Sequence, residues 1–278
     1  MQEKKACGTL EIMISHLRPL AYALSLLLLC GCTTSYNVAT EKSESLMIST
    51  EREVQMGEAI SKQVDKQFNV IKDPEMLARL DRVSQRIAAV SDRKELTYRF
   101  SIVETKEETE GKDEPNAFAL PGGIIYITAS LMKLLPSDDE LAAVLGHEMG
   151  HVVAKHALKR LQGALGLQLL QLIAAGTQAG DARTQAGMDL AFTSILLEYS
   201  QADELEADRL SVHYLKRAGF RSDATIDALT RIRDYAFKQP LHQHSYFRTH
   251  PYFADRLRVV RQEAHGQITF DDYINIKK

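Results

Sequence analysis

The stretch His147-Glu148-Met149-Gly150-His151 sets two imidazoles four positions apart with a carboxylate between them. On a helix, residues four apart share one face about one turn apart, so both rings can bind a single zinc ion while Glu148 projects beside it as a general base. The same spacing also arises on ordinary helices. Its surroundings favour chemistry, because Leu141-Ala142-Ala143-Val144-Leu145 just before it is apolar. Two histidines and a glutamate buried on such a helix would cost several kcal/mol without partners, and a metal would supply them.

A third ligand is needed. The three cysteines, Cys7, Cys30 and Cys32, lie near the start of the chain, so a metal in its body must be held by His, Asp or Glu. Ala154 and Ala157 stand where the metzincin extension requires Gly and His, which excludes that class. His156 follows His151 by five residues and reads as a supporting or surface histidine. The segment Glu198 to Asp208 offers more: Glu204 and Asp208 are four apart on one helical face, so Glu204 can ligate zinc and Asp208 can accept a hydrogen bond from a ligand histidine. Asp203 and Glu206 read as a solvated acidic face.

Four blocks in this order resemble the membrane-linked gluzincin metallopeptidases, the family of HtpX, the CAAX prenyl proteases, BepA and LoiP. They are Asn116-Ala117-Phe118 with Pro121-Gly122-Gly123, the HExxH at 147 to 151, Glu204-x-Glu206-Ala207-Asp208, and Thr249-His250-Pro251 before Arg256. The resemblance implies that His147, His151 and Glu204 bind one Zn2+, that Glu148 activates water, and that Asp208 supports the first histidine. It further implies that Asn116, Ala117 and Phe118 pair with an extended polypeptide substrate, and that His250 faces the metal, there to stabilise an oxyanion or to occupy the open zinc position in a resting state. One position departs from the family: Gln201 stands where an Arg is common, which puts an ion pair or oxyanion contact in doubt.

The elements that must position these groups are partly legible. A helix is expected from near Thr50, another from Asp73-Pro74 with Met76, Leu77, Leu80, Val83, Ile87 and Val90 at helical spacing. Tyr98, Phe100 and Ile102 alternate as a half-buried strand, residues 104 to 114 read as a charged loop, and 116 to 120 and 124 to 127 read as two strands about a turn. Ser137-Asp138-Asp139-Glu140 is a capping box for a helix running through His151 towards Lys159. Residues 162 to 190 predict a helical hairpin, with a lid or membrane-resting segment as the sharper alternative. Helices follow at about 191 to 218, at 223 to 238 behind Ser222, and at 253 to 265, with His242 and His244 in the loop between. The fold class expected is α+β and mainly helical, a zincin-like domain over residues 51 to 278 with a small antiparallel sheet beside the HExxH helix.

The N-terminus reads as a targeting segment. Residues 1 to 31 resemble a lipoprotein signal peptide, with Met13 as the expected start of translation, and Leu29-Cys30-Gly31-Cys32 resembles a lipobox that would leave Cys32 lipidated. Residues 32 to 50 suit a solvated tether, and Thr33-Thr34-Ser35 favours outer-membrane sorting on the periplasmic side. A net charge of -3 lacks the basic footprint of a nucleic-acid binder. These readings converge on a zinc-dependent endopeptidase acting on misfolded or unassembled envelope proteins, the soluble, lipoprotein-type version of the family. A different class, an envelope assembly factor or chaperone with a latent zinc site, is the alternative.

Overall fold

The computed structural model describes residues 35–44, 46, 48–106, 114–174, 182–238 and 245–266, with backbone alone at 35, 167–174 and 182–184. Two compact units divide the chain, Met1–Tyr36 with Ser43–Met47 and Asn37–Lys42 with Ile48–Lys278. The short strands β1 (Ser35–Asn37) and β2 (Lys42–Glu44) straddle that division. Apart from these strands and Leu46, everything described belongs to the second unit, where Asn37 Nδ2 also donates to the Val153 carbonyl at 2.8 Å.

At the centre of the second unit is α4 (Asp138–Val153), buried continuously from Glu140 to Val153. Its start is set locally: Ser137 and Glu140 close a capping box, satisfying backbone N–H groups that the first turn leaves without partners. The loop before it is pinned by Arg79, whose guanidinium donates to the carbonyls of Met132, Leu135 and Ser137 and to Asp138. Arg79 lies on α2 (Pro74–Ala89), which Asp73 caps as its spacing predicts. The expected run towards Lys159 does not occur. Lys155 turns left-handed at φ 56°, and α5 (His156–Ala174) starts in a new direction.

Strand order in the sheet is β3-β4-β6-β5, from β3 (Phe68–Val70), β4 (Arg99–Thr105), β5 (Ala117–Leu120) and β6 (Ile124–Thr128). Two pairings are antiparallel: β5 with β6, as expected, with Phe118 opposite Tyr126, and β3, a strand the sequence did not indicate, with β4, Phe68 opposite Thr105. The third differs: β4 and β6 run parallel, Ile102 opposite Ile127. Glu104 and Thr105 extend β4 beyond the expected strand because β3 supplies a partner there; residues 107–113 of the expected loop lie outside the described residues. Gly122, at φ 79°, makes the β5–β6 turn, and its N–H donates to Glu53 at 3.1 Å. Glu53, on α1 (Thr50–Gln67), forms a buried ion pair with Arg93, which also donates to the Val152 carbonyl, so the turn, α1 and the end of α4 share one anchor.

A short α3 (Ala129–Leu134) links β6 to the loop before α4. α5 and α6 (Ala182–Ile195) pack on each other and on α1, the hairpin arrangement expected for 162 to 190. The single helix expected over 191 to 218 is two, because Ser200 caps a fresh helix, α7 (Gln201–Ala218), through a capping box with Asp203. α8 (Ala224–Ala236) starts after Asp223 rather than Ser222 and makes no side-chain cap bond. α9 (Tyr246–Thr249) and α10 (Phe253–His265) complete the described chain. Among the described residues no helix is long and apolar enough to cross a membrane.

α4 and α7 cross at close range. A Cβ on Gly150 would lie 2.9 Å from the Ala207 carbonyl oxygen and 3.1 Å from Ala207 Cα, a separation that only glycine permits without backbone movement. Ser211 Oγ donates to the Ala143 carbonyl at 2.8 Å across the same interface. That approach brings the HExxH face and the Glu204 face together.

Candidate metal centre

His147, His151, Glu204 and His250 each offer one buried donor atom, and these atoms lie within 4.8 Å of one another. α4 supplies both histidines of the HExxH stretch, α7 supplies Glu204, and the residue after α9 supplies His250. His147 Nε2 stands 3.0 Å from His151 Nε2 and 3.4 Å from His250 Nδ1. Glu204 Oε1 is 3.0 Å from His250 Nδ1 and 3.4 Å from His151 Nε2. Donors held ~2.0–2.1 Å from a common centre in a tetrahedron are about 3.3–3.4 Å apart, so this group fits a zinc ion in size and in its nitrogen and oxygen chemistry. Sequence spacing had left His250 as metal-facing only by resemblance; its ring nitrogen belongs to the donor set itself.

Behind the donors stands a charged layer. Asp208 Oδ1 is 2.8 Å from His147 Nδ1, the contact expected of it, so the ring's Nε2 is left for the metal side. Sequence reasoning noted Arg256 only as a neighbour of the last block. It is fully buried, paired with Asp208 at 2.8 Å and with Glu204 at 2.9 Å, and its Nη1 donates to the His250 carbonyl at 3.1 Å. One guanidinium thereby fixes α7, α10 and the His250 loop. A cation six residues after the metal-facing histidine was the available signal, but spacing alone does not say which way it points.

Burial would raise Glu204, but the His250 and Arg256 charges and the bonds from His147 and His151 hold its carboxyl well below the usual carboxylate range. It stays an anion. Burial also drives His151 well below the ordinary histidine value, which keeps that ring neutral and its lone pair available to a metal. Glu148 is shifted the other way: burial pushes its carboxyl up, only partly opposed by the His250 and His147 charges. Both Glu148 oxygens are buried without a hydrogen-bond partner, a costly state that a water molecule at the centre would relieve.

Glu206 is not the solvated acid that its sequence position suggested. Its carboxylate lies 3.1 Å from His156 Nε2 and pairs with Lys42. Tyr199 stacks on the His151 ring at 4.0 Å between centroids, and the Arg160 guanidinium lies 4.0 Å from the centre of the Tyr199 ring, neither of which sequence spacing indicated. Gln201 is exposed and donates to Asp255 at 2.6 Å, so it ties α7 to α10.

Asn116 leads into β5, the edge strand of the sheet, and Ala117 and Phe118 open it. Thr249 Oγ1 donates to Asn116 Oδ1 at 3.2 Å, and His250 Nε2 is 3.4 Å from the Ala117 carbonyl. Phe118 packs among Phe68, Tyr126 and Phe192. None of the donors, Glu148 or these strand residues is more than 4% exposed, so the site is closed to a polypeptide as it stands. Cys32, His242 and His244 lie outside the described residues.

A family model described as Peptidase family M48 matches residues 74–264, more than half of the chain. The beta-barrel assembly-enhancing protease of Yersinia pestis is 28% identical over 254 residues, covering 84% of this chain and 49% of its own length. Metalloprotease LoiP of Escherichia coli (strain K12) is 34% identical over 149 residues, 52% of this chain and 57% of its own, and metalloprotease YcaL of the same strain is 24% identical over 247 residues, 87% and 94% respectively. The chain thus spans about half the length of the beta-barrel assembly-enhancing proteases it matches.

Proposed function

We infer that this chain, which belongs to peptidase family M48 and is a metalloprotease of that family, is a zinc-dependent endopeptidase of the bacterial cell envelope acting on misfolded or unassembled envelope proteins. The observation that carries the reading is the convergence of four buried donors beside the carboxylate of Glu148, which makes no hydrogen bond and has His250 Nε2 at 3.5 Å. A purely structural metal site has no use for such a base, which counts against a chaperone with a latent zinc site. Zinc, when bound, supplies the Lewis acid that polarises the scissile carbonyl and acidifies water at the site. Glu148 accepts the proton of the attacking water and delivers it to the leaving amide nitrogen, and its raised proton affinity suits both transfers. Asp208 holds the His147 ring throughout, and Arg256 compensates the Asp208 and Glu204 charges.

A second reading concerns the state of the enzyme. His250 fills a corner of the donor set and its other nitrogen meets the Ala117 carbonyl, so withdrawing this one ring would open both the fourth metal position and the edge of β5. Substrate would then pair along Asn116 to Phe118 through its backbone, a mode that tolerates varied side chains. The enzyme in this form is latent.

The envelope location rests on the lipobox-like Leu29 to Cys32, with a lipid on Cys32 holding the chain at the periplasmic face, outer membrane rather than inner. Relatives named for assisting β-barrel assembly support a substrate among envelope proteins. The deciding experiment is cleavage of an unfolded protein by wild type and Glu148→Gln at matched zinc content. Cutting by wild type alone supports the endopeptidase; zinc in both with cutting by neither favours the latent form. Accumulation of no envelope protein in a deletion strain would rule out the substrate class.

A further inference from the structure

We propose that His156 and Glu206 are positioning residues of the metal centre, a hydrogen-bonded relay that holds the His151 ring and is secured at its outer end by Lys42. The inference rests on His151 being a zinc ligand. His151 Nδ1 lies 2.8 Å from His156 Nδ1, and His156 Nε2 lies 3.1 Å from Glu206 Oε2. The other oxygen of Glu206 accepts from the Lys42 ammonium.

The protons in this chain are determined by its inner end. A ring that offers Nε2 to a metal carries its hydrogen on Nδ1. His151 Nδ1–H therefore donates to His156 Nδ1, His156 bears its own hydrogen on Nε2, and that hydrogen is donated to Glu206. Each nitrogen has one role, with no two donors or acceptors opposed. The arrangement repeats for His151, through an intervening imidazole, what Asp208 does directly for His147.

The backbone is built to make this contact. Five residues further along an unbroken helix, His156 would stand about 140° around the axis from His151. Instead the chain leaves α4 at Lys155, a non-glycine residue at φ 56°, and the new helix turns His156 back onto the ring. A left-handed lysine is disfavoured by roughly 1–2 kcal/mol. His156 is 3% exposed, so its two nitrogens are committed to the relay, with Asp203 at 3.4 Å as a second carboxylate near Nε2. Lys42 sits on the segment Asn37–Lys42, so the stretch preceding the catalytic helices completes the support of a metal ligand.

The test is zinc affinity of the full chain, by chelator competition, together with the visible absorption of the Co2+-substituted protein. His156→Ala removes the acceptor of His151 and should weaken zinc ~10–100-fold, the usual effect of losing such a partner, with an altered Co2+ spectrum. His156→Asn keeps an oxygen where Nδ1 stood and should recover most of the affinity. Lys42→Met should have a smaller effect in the same direction. Zinc bound to folded His156→Ala within about threefold of wild type, or His156→Asn as weak as the alanine variant, would overturn the relay while leaving the peptidase reading intact. If His156→Ala does not fold, Glu206→Leu takes the same readout, and unchanged affinity there also overturns it. A wild-type chain that binds no zinc would remove both inferences together.

Discussion

Asp208 on α7 stands 2.8 Å from His147 Nδ1 on α4, while its carboxylate also pairs with the buried guanidinium of Arg256. One side chain thereby orients a metal-binding ring and shares with Glu204 the neutralisation of a buried cation. Asp208→Leu leaves Arg256 with Glu204 as its remaining carboxylate and should destabilise the fold by ~3–5 kcal/mol, as breaking a buried ion pair does. Urea denaturation of the zinc-free protein measures this, and a loss under 1 kcal/mol would refute the role given to the pair.

Glu148→Gln should reduce turnover ~10²–10⁴-fold while zinc remains bound. Because burial raises the Glu148 carboxyl, its titration in the zinc-free protein, followed by the carboxyl infrared band lost in Glu148→Gln, should lie above the ordinary glutamate value of 4.5. A titration at or below 4.5 would mean that the neighbouring charges outweigh burial.

His250→Ala should raise cleavage of an unfolded protein several-fold, since the ring fills a corner of the donor set and caps the Ala117 carbonyl. A fall in turnover at unchanged zinc content would instead favour an oxyanion role for His250.

Gly150→Ala should weaken zinc binding without touching a ligand. The added methyl would meet Ala207 backbone at 2.9 Å, so α4 and α7 must separate, and with them the histidine pair from Glu204. Chelator competition reads the affinity; an unchanged value would mean that the two helices yield without moving the donors.

Glu206 should contribute to acid stability. Burial raises its carboxyl, but His156 and Lys42 outweigh that and bring it from 4.5 down to about 2. A depressed folded pKa lends stability that is present above the unfolded value and lost as pH falls through the folded one. The melting temperature of wild type should therefore exceed that of Glu206→Gln at pH 6 and converge on it towards pH 2. A difference that persists undiminished at the acid end would place the effect in packing rather than charge.

Short-range features were legible in the residues alone. The capping box at Ser137, the Asp73-Pro74 start and the i, i+4 spacing of His147 with His151 and of Glu204 with Asp208 depend on a few consecutive side chains and one helical period, and the helices form accordingly. Chain breaks were harder to read. Lys155 carries no glycine signal yet turns left-handed, with His156 brought back onto His151 as the tertiary contact that accompanies the turn, whereas the break at Ser200 carries a local signal, its capping box with Asp203, that the apolar periodicity of the flanking run masks.

The sequence by itself determined the chemistry available to this protein: which residues can bind zinc, which carboxylate can act as base, and which helix carries them, since these follow from side-chain type and helical period. Tertiary structure set the His250 nitrogen among the candidate donors, where the resemblance had only turned it towards the metal, and it alone decided that Arg256 neutralises the carboxylates behind it, that Glu206 reaches His156, and that β4 and β6 pair in parallel. Those relations join residues dozens of positions apart. Their distances depend on how closely α4 and α7 can approach over Gly150 and on where each loop returns the chain, quantities that no local spacing encodes.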